Sequence, residues 1–348
     1  MKAAAPVKKK RFNAVNFREL GLLIFILLLI AIVQSLNSTF LTPKNISNLL
    51  TNTAIIAILS IGMMIVILTE GIDLSLGANI ALSGMVVAMH VAANPGLHPL
   101  VALLEGTALG MVQGLLVGLL IAKVNVLPII ASLGMCYVYR GAVFLISGGS
   151  WVSAHQMSTE FKAIATGKIG FNPTPELGEA TKIGINNLVF IAIIVFIIAF
   201  YFLNYTRTGR RFYAVGSNME AARVSGIQAD NTKLLAYIIM GALSGLVGVL
   251  WVSKYASAQP DTAMGYEINI IAACVIGGVS ISGGSGRVLG VFMGAMLIGI
   301  INNALPLISN VSEFAKNLIQ GCIILGAVLI NTGVKRRADW NVLVRRKI

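Results

Sequence analysis

The sequence predicts an all-α protein that spans a membrane about ten times. Only 11% of its 348 residues are charged, 57% are hydrophobic, and mean hydropathy is +0.86. A soluble chain of this size carries about a quarter of its residues charged. Apolar runs near the roughly 20 residues that cross a bilayer recur along the whole length. The period-two alternation of a membrane barrel is missing.

Taken in order, the first run is Leu20–Leu36. It has no small-residue cleavage site and leads straight on through Gln34-Ser35-Leu36-Asn37, so it reads as a spanning helix rather than a secretion signal. Leu49–Leu68 follows, then a break at Thr69-Glu70-Gly71-Ile72-Asp73 and a short helix at about Leu74–Ala92 that Asn94-Pro95-Gly96 ends. Leu100–Ile121 and Val126–Ile146 come next. A 38-residue polar interval, 148–185, separates them from Leu188–Leu203. Leu234–Val252, Ile268–Val279, Val288–Leu307 and Leu318–Ile330 complete ten expected spans.

The net charge of +13 does not point to nucleic acid. Of 26 Lys and Arg, six lie in residues 1–19, five in 204–233 and six in 335–348. This clustering follows the positive-inside rule and places both termini and the 204–233 loop in the cytoplasm. An even number of spans agrees with that. The expected organisation is a basic cytoplasmic tail at 1–19, a transmembrane domain at 20–333 and a second basic tail at 334–348. Loops 69–73, 122–125, 204–233 and 280–287 then fall inside. Loops 38–48, 93–99, 148–185, 254–266 and 309–315 fall outside, and the long 148–185 interval is read as an external platform, a lid or a plain solvated loop.

The 204–233 loop carries the most punctuated stretch, Arg207 to Lys233. Ser217 and Glu220 have the spacing of a capping box. Met219, Ala221, Ala222 and Val224 continue a short helix that Gly226 is suited to end. A two-turn helix is marginal alone in water, so it is expected to dock on something.

A short internal repeat lays Gly71-Ile72-Asp73-Leu74-Ser75-Leu76-Gly77 on Gly278-Val279-Ser280-Ile281-Ser282-Gly283-Gly284. Paired Gly-interrupted segments in two halves of a transporter point to its pathway. Gly71, Asp73, Ser75, Gly278 and Ser282 are taken as structural residues of these helix breaks. Among polar residues at membrane depth, Asn79, Ser83, Gln113, Asn302 and Asn303 are candidates to line a hydrated route, with Ser132 a lesser one. The alternative is interhelical hydrogen bonding worth about 0.6 kcal/mol each. Arg140, Glu267 and Lys316 are read as paired or snorkelling, and Glu105 is the one acid well inside a span.

No enzyme emerges. His90, His98 and His155 are isolated and lack metal-ligand spacing. Cys136, Cys274 and Cys322 sit in apolar runs and read as packing residues. Gly283-Gly284-Ser285-Gly286-Arg287 lacks the Lys and spacing of a phosphate loop, so any ATPase is another chain.

Glu220-Ala221-Ala222-Arg223-Val224-Ser225-Gly226 resembles the coupling loop of ABC importer permeases. Ile67–Gly77, Thr206–Arg210, Ala214–Asn218, Ser257–Pro260, Gly265–Ile268 and Ile271–Ser280 are similar to permeases of the ribose, galactose, xylose and autoinducer-2 type, over roughly 40–332. One departure is that Ile227-Gln228-Ala229-Asp230 replaces the I-x-L-P extension of other coupling loops. The resemblance implies a multi-pass permease of the bacterial inner membrane, pairing with a second copy or a paralogue. Glu220, Ala221, Ala222, Arg223 and Gly226 would meet an ATPase with two fused nucleotide-binding cassettes. That partner holds ATP and Mg, and this chain binds no cofactor of its own. A periplasmic or lipid-anchored sugar-binding protein would deliver a monosaccharide or similar polyhydroxylated solute. The competing reading is a secondary sugar transporter driven by an ion gradient.

Overall fold

The computed structural model describes residues 14–171 and 183–307, with isolated helical positions at Leu318, Gly321, Cys322, Leu325 and Gly326. The expected span Leu318–Ile330 is otherwise outside the described residues, as are the tail 334–348 and Lys316.

The chain is a helical bundle. Its helices are α1 (Ala14–Leu36), α2 (Pro43–Leu68), α3 (Leu76–Ala93), α4 (Pro99–Ala122), α5 (Pro128–Ser147) and α6 (Thr159–Thr166). After a hairpin of β1 (Lys168–Phe171) and β2 (Ile183–Asn186) come α7 (Asn187–Tyr205), α8 (Arg207–Ser217), α9 (Met219–Val224), α10 (Ala229–Tyr255), α11 (Tyr266–Ile276) and α12 (Val288–Ala304). Local chemistry sets several boundaries. Pro43, Pro99 and Pro128 open α2, α4 and α5, where proline's missing N–H costs nothing. Gly148, at φ 58°, ends α5.

Eight described helices are long and apolar enough to cross a membrane. They correspond to eight of the ten expected runs. The ninth, expected at Ile268–Val279, is different. α11 has 11 residues, about 16 Å at the helical rise of 1.5 Å, and cannot cross alone. The irregular segment 256–265 precedes it and reaches the start of α3. Its Ala263 carbonyl oxygen would lie 2.6 Å from a methyl group placed on Gly77 in the first turn of α3.

α2 is the buried centre. The most apolar part of α2 is 83% buried, against 11% for α1, which turns its leucines outward toward lipid. α4 and α10 pack antiparallel through glycine. Gly106, Gly110, Gly114 and Gly118 recur every fourth residue along one face of α4. A methyl on Gly110 would come 2.2 Å from the Gly241 carbonyl oxygen, and one on Gly245 would come 2.1 Å from that of Gly106. Such small-residue stripes let membrane helices approach to backbone contact, where van der Waals packing replaces the absent hydrophobic drive. The opposite face of α4 shows Leu104, Val112 and Leu116 to the outside.

The interval expected at 148–185 is partly folded. Phe161 of α6 is buried, and Ser253 near the end of α10 donates to the Phe161 carbonyl at 2.8 Å and accepts from the Ala165 N–H at 2.9 Å. β1 and β2 pair antiparallel, Lys168 opposite Asn186. Residues 172–182 lie outside the described set.

Candidate coupling site and membrane-depth breaks

α8 and α9 form a bracket at one end of the bundle. Thr206 caps α8 by accepting from the Gly209 N–H at 2.9 Å. Asn218 performs the same service for α9, accepting from the Ala221 N–H at 2.9 Å. The sequence expected Ser217 there. Ser217 is instead the last residue of α8, and Asn218, extended at φ −165°, makes the corner. Glu220 does not complete a capping box; its carboxylate lies 3.4 Å from Arg223, which also reaches Asp230 at 3.0 Å.

The far end of α9 closes as expected. Gly226, at φ 80°, donates to the Arg223 carbonyl, and Ile227 donates to that of Ala222. These two bonds form a Schellman motif, which needs a residue in the left-handed region at Gly226. Ala222 packs with Val215 and Ala229, joined by Met219 and Ile227. Glu220, Ala221, Arg223 and Val224 face outward, Val224 with 90% of its surface exposed. Exposed carboxylate, guanidinium and isopropyl groups on a doubly capped helix make a rigid contact surface.

This bracket abuts the end of α2 and the second half of the internal repeat. Gly284 donates to the Leu68 carbonyl at 3.0 Å, joining the second break to the end of α2. Gly216 lies against Leu68 and Gly284, and Gly283 against Glu70 and Gly216. Tyr213 donates to the Gly286 carbonyl at 3.3 Å. Gly278, Gly283 and Gly284 all have positive φ, so this turn needs glycine; Ser282 is exposed on it.

In the first break the chain climbs back into the bundle. Asp73 is buried and accepts from both the N–H and the hydroxyl of Ser75, at 2.8 and 2.6 Å, just before α3. Gly71 and Ile72 lie against Tyr237, whose hydroxyl donates to the Ile72 carbonyl at 3.3 Å, and Ser132 reaches the same carbonyl at 3.3 Å. Tyr237 is eight residues into α10, about 12 Å along it. Irregular backbone at such depth persists only where protein or a watery cavity satisfies its polar groups.

Asn79, Ser83 and Gln113 come together as one network. Gln113 donates to Ser83 at 2.8 Å, Ser83 to Asn79 at 3.2 Å and Asn79 to the Gly110 carbonyl at 3.3 Å. All three side chains are buried between helices, so here they bind α3 to α4. Asn302 and Asn303 sit elsewhere, in the last turn of α12. Asn303 exchanges two bonds with Asn45, at 2.9 and 3.1 Å, and borders a cavity of about 760 Å³ with Asn48, Asn52 and Lys254.

A helical membrane bundle with a capped, outward-facing helix braced on the end of α2 and on a glycine turn fits one class, a multi-pass permease. A family model described as branched-chain amino acid transport system / permease component matches residues 45–328. The ribose import permease protein RbsC of Escherichia coli (strain K12) is 38% identical over 327 residues, 93% of this chain and 96% of that protein. The autoinducer 2 import system permease protein LsrC of Enterobacter sp. (strain 638) is 32% identical, with 92% and 88% covered. The D-allose transport system permease protein AlsC of Escherichia coli (strain K12) is 33% identical, with 93% and 95% covered. The chain belongs to this family, as an ABC transporter permease of the ribose and autoinducer-2 type. No solved structure matches it.

Proposed function

We propose that the chain is the membrane permease of an ATP-driven importer for a monosaccharide or a related polyhydroxylated solute. The observation that carries this reading is α9, whose exposed Glu220, Ala221, Arg223 and Val224 stand on a bracket packed against the end of α2 and bonded to the second glycine break. A separate ATPase with fused nucleotide-binding cassettes, holding ATP and Mg, grips this helix in the cytoplasm. A force on α9 then passes through Gly216 and Gly284 to Leu68 and the break that starts α3. Alternation between inward and outward access requires such a bistable element, biased by contacts that differ between its two states. A second permease copy or paralogue completes the channel, and an external binding protein selects and delivers the solute. The basic termini lie on the ATPase side. The chain sits in the bacterial inner membrane and neither catalyses hydrolysis nor holds a cofactor. A hydrated route through Asn79, Ser83 and Gln113 requires their network to open during the cycle.

The ion-driven alternative loses its main support in Glu105. That carboxylate lies 2.7 Å from His90, in the second turn of α4, rather than in a buried midplane site. The test is the energy source. In cells carrying the full system, depletion of ATP should abolish solute accumulation while an ionophore leaves it intact. Accumulation that survives ATP depletion and collapses with the ionophore would establish the alternative.

A further inference from the structure

Between α10 and α11 the chain forms a hook, residues 256–265, that descends from the outer end of α10 to the first turn of α3. Ala256 and Ala263 hold positive φ, 48° and 57°. Alanine in that region costs about 1–3 kcal/mol and persists where surrounding structure enforces it, often at functional sites. The enforcement is visible. Arg140 of α5 donates from one guanidinium nitrogen to the carbonyls of Pro260 and Thr262, at 2.7 and 2.8 Å. Val152 and Ala258 pair as a two-way bridge at 3.1 and 3.0 Å.

The hook lines a cavity of about 620 Å³, within the usual range for a small-ligand site. One wall is aromatic. Trp251 lies 5.0 Å from Tyr255 and 4.9 Å from Tyr266 between ring centroids, the latter edge to face. Ser257, Gln259 and Asp261 line the same cavity. The Gln259 amide donates to the Ser257 hydroxyl at 3.2 Å.

We infer that this cavity is a solute-binding station on the import route, taking one polyhydroxylated ring; the inference rests on the transport reading above and deepens it. A sugar ring has apolar C–H faces and a hydroxyl edge, and the cavity lining offers a match for both. Rigid Trp and Tyr rings give apolar area at little entropic cost. A carboxamide both donates and accepts, and a carboxylate accepts from two neighbouring hydroxyls. Trp and Tyr also collect at membrane surfaces as a lipid-facing belt. That alternative gives no role to Gln259 and Asp261, which line the cavity with the rings, nor to irregular backbone at membrane depth, which a watery cavity explains. The station also touches the drive. The Ala263 carbonyl and Glu267 carboxylate abut Gly77 at the start of α3, whose break leads back to Leu68, Gly216 and α9.

The chain has three tryptophans, so Trp151→Phe with Trp340→Phe leaves Trp251 as the sole reporter. The full chain in lipid nanodiscs is titrated with D-ribose and D-allose into the millimolar range while Trp251 emission is followed. A saturable change with at least one sugar is expected. Asp261→Asn and Gln259→Ala should each weaken it about tenfold, the loss of one hydrogen bond to ligand, and Glu220→Arg should leave it unchanged. No saturable change with either sugar overturns the proposal, and so does a change that both cavity substitutions leave intact. The titration uses no ATPase, so failure of ATP-driven transport and failure of this site are read separately.

Discussion

Gly216 lies so close to Leu68 that a methyl group on Gly216 would stand 1.7 Å from the Leu68 carbonyl oxygen. That same oxygen accepts from the Gly284 N–H. Three segments distant in sequence, the end of α2, the end of α8 and the turn before α12, therefore meet at backbone contact. Gly216→Ala must push them apart, an overpacking cost of about 1–3 kcal/mol. The expected outcome is a lowered thermal midpoint in detergent and a sharp loss of uptake, while Gly226→Ala, discussed below, keeps most activity.

The α4–α10 glycine stripe sets a comparable penalty. Gly110→Ala brings a methyl to 2.2 Å from the Gly241 carbonyl oxygen and 2.7 Å from Gly245. Both neighbours are backbone and cannot rotate away, so the cost should reach the upper part of the 1–3 kcal/mol range. Gly134 on α5 has open space around it, and Gly134→Ala should change stability by no more than about 0.5 kcal/mol. Thermal unfolding of the two variants side by side checks the contrast.

At Gly226 the two available substitutions separate conformation from hydrogen bonding. A side chain there meets nothing within 4 Å, so Gly226→Ala suffers only the strain of positive φ, about 1–2 kcal/mol. Gly226→Pro also removes the N–H that donates to the Arg223 carbonyl and forbids the observed φ. Uptake should be largely retained in the first variant and lost in the second, at equal levels of inserted protein.

Arg140 is expected to act as the clasp of the hook. Hydrogen bonds to a charged donor contribute about 1.5–3 kcal/mol each, and Arg140→Gln forfeits the charge behind two of them. Hydrogen exchange should rise in residues 256–265 and stay unchanged in α2. Equal exchange in both proteins would mean that Val152 and Ala258 hold the hook without help.

The sequence made much of this legible. Hydropathy and the proline and glycine punctuation located the long helices, because spans of that length have no alternative solution in lipid, although α1, α2 and α10 begin five or six residues before their apolar runs. The short helix and its end at Gly226 were readable from local punctuation, although its cap is Asn218 rather than the expected Ser217. What escaped were features of three-dimensional register. Asn218 displaced Ser217 as the cap because Ser217 closes α8, whose Gly216 abuts Leu68. α11 looked like a span because Val279 and the preceding apolar residues continue its composition past the turn at Gly277 and Gly278. The stripe Gly106, Gly110, Gly114 and Gly118 was visible as a four-residue period, and its partner in α10 needed the fold. The aromatic wall of Trp251, Tyr255 and Tyr266 is split by the hook and has no continuous signature.

The central claim is that α9 receives the force of ATP hydrolysis, and Glu220→Arg tests it most directly. Glu220 is exposed and pairs with Arg223 at the surface, so charge reversal there should spare folding and membrane insertion. ATP-driven uptake by proteoliposomes containing the complete transporter is the measurement. The account predicts loss of uptake with a normal amount of inserted permease; uptake at the unmodified rate would contradict it.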